Sequence, residues 1–254
     1  MKLTDMVKVL DTELDISAFV SADASLNGLQ VGASAGKTVR KVAVAVDAAL
    51  ATFEAAAAWG ADILIVHHGL FWGRPLAITG THYERIKLLL EKDMALYACH
   101  LPLDAHPVLG NNACIARALG LMAVVPFGIY KGIPIGFKGV LPSSLTAQEI
   151  AGALGYGPDS GLRILPYGPE KINSIGIISG GGADDVQYAI DQGLDAFLTG
   201  EPLHQVHHDC RENKVTMICG GHYATETLGV QAVGQYLSVR HGCEVRFIDI
   251  PTGL

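Results

Sequence analysis

The sequence predicts an α/β fold of two related domains with mainly parallel sheets. Three observations lead there. Short Val- and Ile-rich runs alternate with helical patterns, as in βαβ units. The two halves repeat one plan, and the most polar clusters fall directly after predicted strands. In open α/β sheets ligands bind outside the carboxyl ends of the strands, so a site is expected at the strand ends, in the cleft between the domains.

The strands are predicted over Val42–Val46, Ile63–Val66, Ala95–Ala98, Ile175–Ser179, Ala196–Leu198, Val215–Ile218 and Val245–Ile248. Helices are predicted over Ala48–Trp59, Tyr83–Glu91, Asn112–Leu119, Asp184–Gln192, His204–Arg211 and Thr225–Val239. Leu3-Thr4 opens a helix in the first half. Leu145-Thr146 opens one in the second, where Thr146 and Glu149 have the spacing of a capping box. KVAVAVD, a helix and GADILIVHHG then match SIGIISGGG, a helix and GLDAFLTGE, and MALYACH matches VTMICGGH. A repeat this long is not a solenoid unit of about 20–50 residues. The Gly/Pro-rich stretch Pro126–Gly139 is the expected junction, giving domains 1–127 and 128–254; one larger sheet is the alternative.

Half of the 254 residues are apolar and 17% are charged, which places the chain on the globular side of the boundary with disorder. A net charge of −7 with no long basic cluster argues against a broad nucleic-acid surface or an anionic-membrane surface. A small anionic substrate stays compatible if bound metal reverses the local charge. The acid-bearing N-terminus and the absence of an apolar run of roughly 18 residues predict a cytoplasmic protein. The five cysteines show no C-x-x-C spacing and read as reduced packing residues.

Three segments carry the candidate chemistry: His67–Gly69, Cys99–His106 and Gly220–Glu226. His67 and His68 are adjacent and would face opposite sides of a regular strand. Gly69 lets the chain turn, so the two imidazoles could serve two neighbouring metals; alone, such a pair reads as two hydrogen-bonded histidines. Asp104 alone reads as a cap. His222 and Glu226, four apart, can share a helix face. Together these five form a nitrogen and oxygen donor set suited to Zn, Mn or Fe. His100 is either an orienting histidine or a proton shuttle. Glu201 reads as a helix N-terminal acid with reach toward the cleft, and His204, His207 and His208 read as a solvated helix face. Gly180–Gly182 does not match a dinucleotide fingerprint.

The segments DASLNGLQVG (Asp23–Gly32), DILIVHHGLFWG (Asp62–Gly73), HLPLDAHPVLGNN (His100–Asn112), ISGGG (Ile178–Gly182), TGE (Thr199–Glu201) and GGHYATE (Gly220–Glu226) span nearly the whole chain. In that order they resemble the Nif-three-like dinuclear-metal family, the GTP cyclohydrolase 1 type 2 homologues, in its short form without the middle insertion. The resemblance implies a homohexameric ring and two divalent metal ions per chain. His68 and Asp104 would favour one metal, His67 and His222 the other, and Glu226 would bridge them. The leading reading of function is metal-assisted hydrolysis of a nucleotide-derived compound or purine-type ring, with His100 as the first candidate proton shuttle. The alternative is a non-catalytic hexameric scaffold or regulatory protein whose metals are structural, although structural zinc sites are usually closed and sulfur-rich. A metal-dependent TIM-barrel hydrolase fits the length, but its H-x-H signature occurs nowhere in the chain.

Overall fold

The computed structural model describes residues 1–254, in two compact units. The first comprises Met1–Leu103 and Gly229–Ile250, the second Asp104–Leu228 and Pro251–Leu254. The chain begins with α1 (Leu3–Glu13), β1 (Gly28–Val31), β2 (Lys41–Asp47), α2 (Leu50–Trp59), β3 (Ile63–His68), α3 (Gly80–Glu91), β4 (Ala95–Ala98) and α4 (Leu101–Ala105). It continues with α5 (Asn111–Ala118), β5 (Met122–Tyr130), β6 (Ile133–Leu145), α6 (Ala147–Ala153), β7 (Arg163–Pro166), β8 (Ile172–Ile177), α7 (Val186–Asp191), β9 (Ala196–Thr199), α8 (Val206–Asn213), β10 (Thr216–Cys219) and α9 (His222–Thr225). It ends with α10 (Thr227–His241) and β11 (Glu244–Phe247).

The first unit's five-stranded sheet has the order β1-β4-β3-β2-β11. Only the β1–β4 edge pair is antiparallel. KVAVAVD and ILIVHH are buried along nearly their whole lengths, as central strands covered on both faces must be. One face packs Ala43, Ala45, Leu64, Val66 and Leu96 against Phe53 of α2 and Leu89 of α3. Because side chains alternate along a strand, Val42, Val44, Ile63 and Ile65 point the other way and are equally buried.

The second unit's six-stranded sheet has the order β5-β6-β8-β9-β10-β7. Parallel pairing is confined to β8–β9–β10, with antiparallel partners on both sides, so this sheet is mixed rather than mainly parallel. Period-two alternation divides two cores between its faces. Ala196, Leu198 and Ile218 join one with Ile150 and Ile175, while Phe197, Met217 and Cys219 join the other with Val186 and Cys210. Thr146 caps α6 as predicted: its hydroxyl accepts from Glu149 N at 3.2 Å and its N–H donates to Glu149 Oε2 at 2.6 Å.

The division differs from the expected 1–127 and 128–254 at two places. Pro126–Gly139 is not a junction but the body of the β5–β6 hairpin, inside the second unit. Pro126 is tolerated there because β5 is an edge strand, where a missing N–H leaves no ladder bond unmade. The chain's last strand also rejoins the first sheet, as β11 pairs in parallel with β2. No helix is long and apolar enough to cross a membrane.

Candidate metal centre

In the first unit the polar residues gather at the carboxyl ends of β2, β3 and β4. His67 is completely buried, and its Nδ1–H lies 2.9 Å from the carbonyl oxygen of Cys99. His68 turns its Nδ1 to Asp47 Oδ1 at 2.8 Å, Asp47 being its register partner at the end of β2. His100 turns its Nδ1 to Asp23 Oδ1 at 2.9 Å, and its backbone N–H donates to Asn27 Oδ1 at 2.7 Å. The ring centroids lie 4.7 Å apart for His67 and His68, 5.1 Å for His67 and His100, and 5.7 Å for His68 and His100. One nitrogen from each ring falls within 4.8 Å of the other two. Gly69 is required at the turn that presents the pair: a Cβ there would overlap Gln30 and come within 2.6 Å of Ala98 Cβ.

The segment Asp23–Gln30 braces this arrangement. Asp23 also accepts from the backbone N–H groups of Ser25 and Leu101 at 2.9 and 3.0 Å and from Asn27 Nδ2 at 2.8 Å. Burial alone would raise its pKa, but the hydrogen bond and charge of His100, with the Asn27 and Ser25 donors, lower it to about 2. Gln30 accepts from Leu70 N at 2.7 Å, and Leu26 N donates to Phe71 O at 2.9 Å, fixing the loop after His68.

In the second unit the cluster is acidic. Asp104 is buried, and its Oδ1 accepts from Asn111 Nδ2 at 2.9 Å and from the Ser179 hydroxyl at 3.0 Å. It holds these side chains rather than capping a helix. Glu226 is also buried and follows the short α9, and its carboxylate lies within 4.8 Å of that of Asp104. His222 Nε2 is 3.3 Å from Glu226 Oε1, and its Nδ1 is 3.0 Å from Glu201 Oε1. Burial would lower the His222 pKa; the hydrogen bonds and charges of Glu226 and Glu201 outweigh it and raise the value to about 9. Gly180, with φ +65°, makes room for the cluster. A Cβ at that position would overlap Glu226 Oε1 and sit 3.2 Å from His222 Nε2.

This donor chemistry fits divalent metal. Each of the imidazoles of His67, His68, His100 and His222 has Nδ1 directed at an oxygen acceptor. For His67, His68 and His100 that arrangement fixes the tautomer and leaves Nε2 as the acceptor, the usual support for a metal-ligating histidine, whereas His222 also turns its Nε2 to Glu226. Two buried carboxylates this close repel in a medium of low polarity, and a cation offsets that repulsion. No cysteine belongs to either group of donor atoms.

All five predicted ligands thus lie in one or the other of two clusters, and His100 joins the histidine trio. His204, His207 and His208 belong to neither. They line a hollow of about 440 Å³ with Leu165, Pro202 and Leu203, and His207 pairs with the Tyr167 hydroxyl at 3.1 Å. Asp23, Asn27, Asp47 and Ser179 were not legible as site residues, and Glu201 reads from sequence as a helix N-terminal acid. Asp47 carried the one usable signal, an acid ending a buried strand at the sheet end that bears the histidines.

The family profile for Duf34/NIF3 (NGG1p interacting factor 3) matches residues 1–253. Among curated relatives, a "GTP cyclohydrolase 1 type 2 homolog" from Deinococcus radiodurans is 45% identical over 250 residues, covering 98% of this chain and 94% of its own. Another of the same description from Halobacterium salinarum is 43% identical, with 100% of both chains covered. Among solved structures, a protein from Thermus thermophilus superposes with a TM-score of 0.90 at 40% identity, covering all of both chains.

Proposed function

Because this chain belongs to the Duf34/NIF3 family, we propose that it is a dinuclear metal-dependent hydrolase acting on a nucleotide-derived compound or purine-type ring. The observation that carries this reading is the common anchoring of four histidine Nδ1 atoms by oxygen, together with the closeness of two buried carboxylates, Asp104 and Glu226, within the second unit. In the proposed centre His68 and Asp104 would hold one metal ion and His67 and His222 the other, with Glu226 as a ligand shared by the two. Asp104 opens the second unit four residues after His100, and Glu226 stands three residues before the chain re-enters the first at Gly229.

Two bound divalent ions, zinc, iron or manganese, would supply Lewis-acid activation of water and stabilise developing negative charge. The chain's own residues do the rest. Asp47, Glu201 and the Cys99 carbonyl hold imidazoles in orientation, and Ser179 and Asn111 hold Asp104. His100, oriented through Nδ1 by the low-pKa Asp23, is the candidate to carry a proton at Nε2. The protein is proposed to work in the cytoplasm as a homohexameric ring.

The test is turnover by metal-reconstituted protein across nucleotides and damaged nucleotides, with metal content measured on the same sample. No activity above the chelator-stripped control would overturn the hydrolase reading. Sedimentation near the 26.8 kDa monomer mass would overturn the hexamer.

A further inference from the structure

Beside the histidine trio stands a tryptophan that none of the ligand assignments uses. Trp72 follows HHGLF, and its ring centroid is 4.9 Å from that of His100, edge to face, and 6.0 Å from that of His68. Its indole N–H donates to Gly69 O at 2.9 Å, so its one polar group is already engaged. The loop that carries it is fastened by the Gln30–Leu70 and Leu26–Phe71 hydrogen bonds. Beyond it, Gly73 turns with φ +67° against the Ala24 carbonyl. Even so, 38% of the Trp72 surface stays open. A single exposed apolar side chain is ordinary. An indole fixed in orientation, with its polar handle occupied and part of its aromatic surface open beside the imidazoles of His68 and His100, is a preformed stacking surface.

We propose that Trp72 is a stacking platform that seats a planar heteroaromatic ring of the substrate beside His68 and His100. The inference rests on the reading of this centre as acting on a nucleotide-derived compound, and it narrows that reading: the conjugated ring is what the protein grips. Every base has a π-face, so stacking holds a ring without selecting its hydrogen-bond pattern. Selectivity among bases would then come from other contacts.

The chain's two tryptophans give a direct readout. Trp59 lies elsewhere in the first unit, with Lys41 Nζ and the Arg246 guanidinium 5.1 and 5.0 Å from its ring. In metal-reconstituted full-length Trp59→Phe protein, Trp72 is the sole tryptophan emitter. This protein is titrated with GMP, AMP and nicotinamide mononucleotide, and with ribose 5-phosphate as the control without a base. At least one of the three nucleotides is expected to change Trp72 emission saturably, and ribose 5-phosphate to leave it unchanged. Equilibrium dialysis with Trp59 intact supplies the second measurement. There Trp72→Ala should weaken the responding nucleotide about 5- to 150-fold, the span that loss of base stacking covers. Trp72→Phe should recover most of that loss, and metal content should stay the same in both variants.

No saturable response to any of the three nucleotides, or unchanged affinity in Trp72→Ala, overturns the proposal. Equal weakening of ribose 5-phosphate does so too. Because the readout is binding, its failure is separable from that of the hydrolase reading. Turnover that ignores Trp72 removes the platform alone, and stacking without turnover removes the hydrolase alone.

Discussion

Replacing Gly180 by alanine perturbs the acidic cluster without substituting any proposed ligand. Gly180 follows Ser179 in the ISGGG segment, and its φ of +65° costs an L-residue about 1–2 kcal/mol. At roughly 2–4 °C per kcal/mol for a chain of this size, that strain alone lowers Tm by about 2–8 °C. The added methyl group would also occupy the space of Glu226 Oε1 and approach His222 Nε2 to 3.2 Å. Glu226 is buried and cannot swing into solvent without opening the cluster, so the carboxylate and imidazole must separate. If they are ligands, affinity for metal should fall at least as far as when a supporting contact is removed, about 10- to 100-fold. Gly132→Ala is the matched control. Gly132 has φ +88° with nothing within 4 Å of an added Cβ, so it carries the backbone strain and no steric conflict. Elemental analysis and thermal unfolding of both variants after metal reconstitution separate the two effects. Both should lose stability, and only Gly180→Ala should lose metal. A fully metallated Gly180→Ala protein, or equal metal loss in Gly132→Ala, would refute the reasoning.

Glu226→Ala should lower metal content at both proposed positions, because a shared carboxylate offsets the repulsion between two cations, whereas His222→Ala should leave one position filled; metal stoichiometry decides between them. Asp47→Asn removes the carboxylate from His68 Nδ1 and should weaken one metal about 10- to 100-fold in a competition titration while sparing the other. Asp185 offers a pH test away from the ligands, since burial and then the neighbouring Asp184 charge raise its pKa from 3.8 to about 6. A raised carboxyl contributes stability that is fully present below pH 3.8 and lost as pH rises through about 6. Asp185→Asn should therefore stabilise the protein at pH 7–8, by at most about 3 kcal/mol, and lose that advantage near pH 3.5, as read by urea unfolding.

Much of the fold was legible because local patterns carry it. Doubly buried strands such as KVAVAVD and ILIVHH announce themselves by unbroken apolar runs, and Thr146 with Glu149 encodes a cap within four residues of chain. The five candidate ligands were legible because each ends a strand or follows one closely. The unit boundaries were not. A hairpin rich in glycine and proline has the composition of a linker, and only its pairing with β8 shows that Pro126–Gly139 is sheet. Nothing local in Glu244–Phe247 says that it returns to pair with β2, some two hundred residues earlier in the chain.

The supporting residues were hidden for the same reason. Asp23 acts on His100 across 77 residues, and Ser179 acts on Asp104 across 75. A carboxylate that orients an imidazole has no sequence signature of its own, because its role is set by where the chain brings it. The sequence by itself determined seven of the eleven strands, the candidate donor types and the strand ends where they lie, since these follow from periodicity and from what each side chain can donate; β1, β5, β6 and β7 were not legible in it. Only the tertiary structure decided which oxygen faces each Nδ1, which glycine makes room for Glu226, and which indole stands open beside the histidines. Those are distances between residues far apart in the chain, and folding alone sets them.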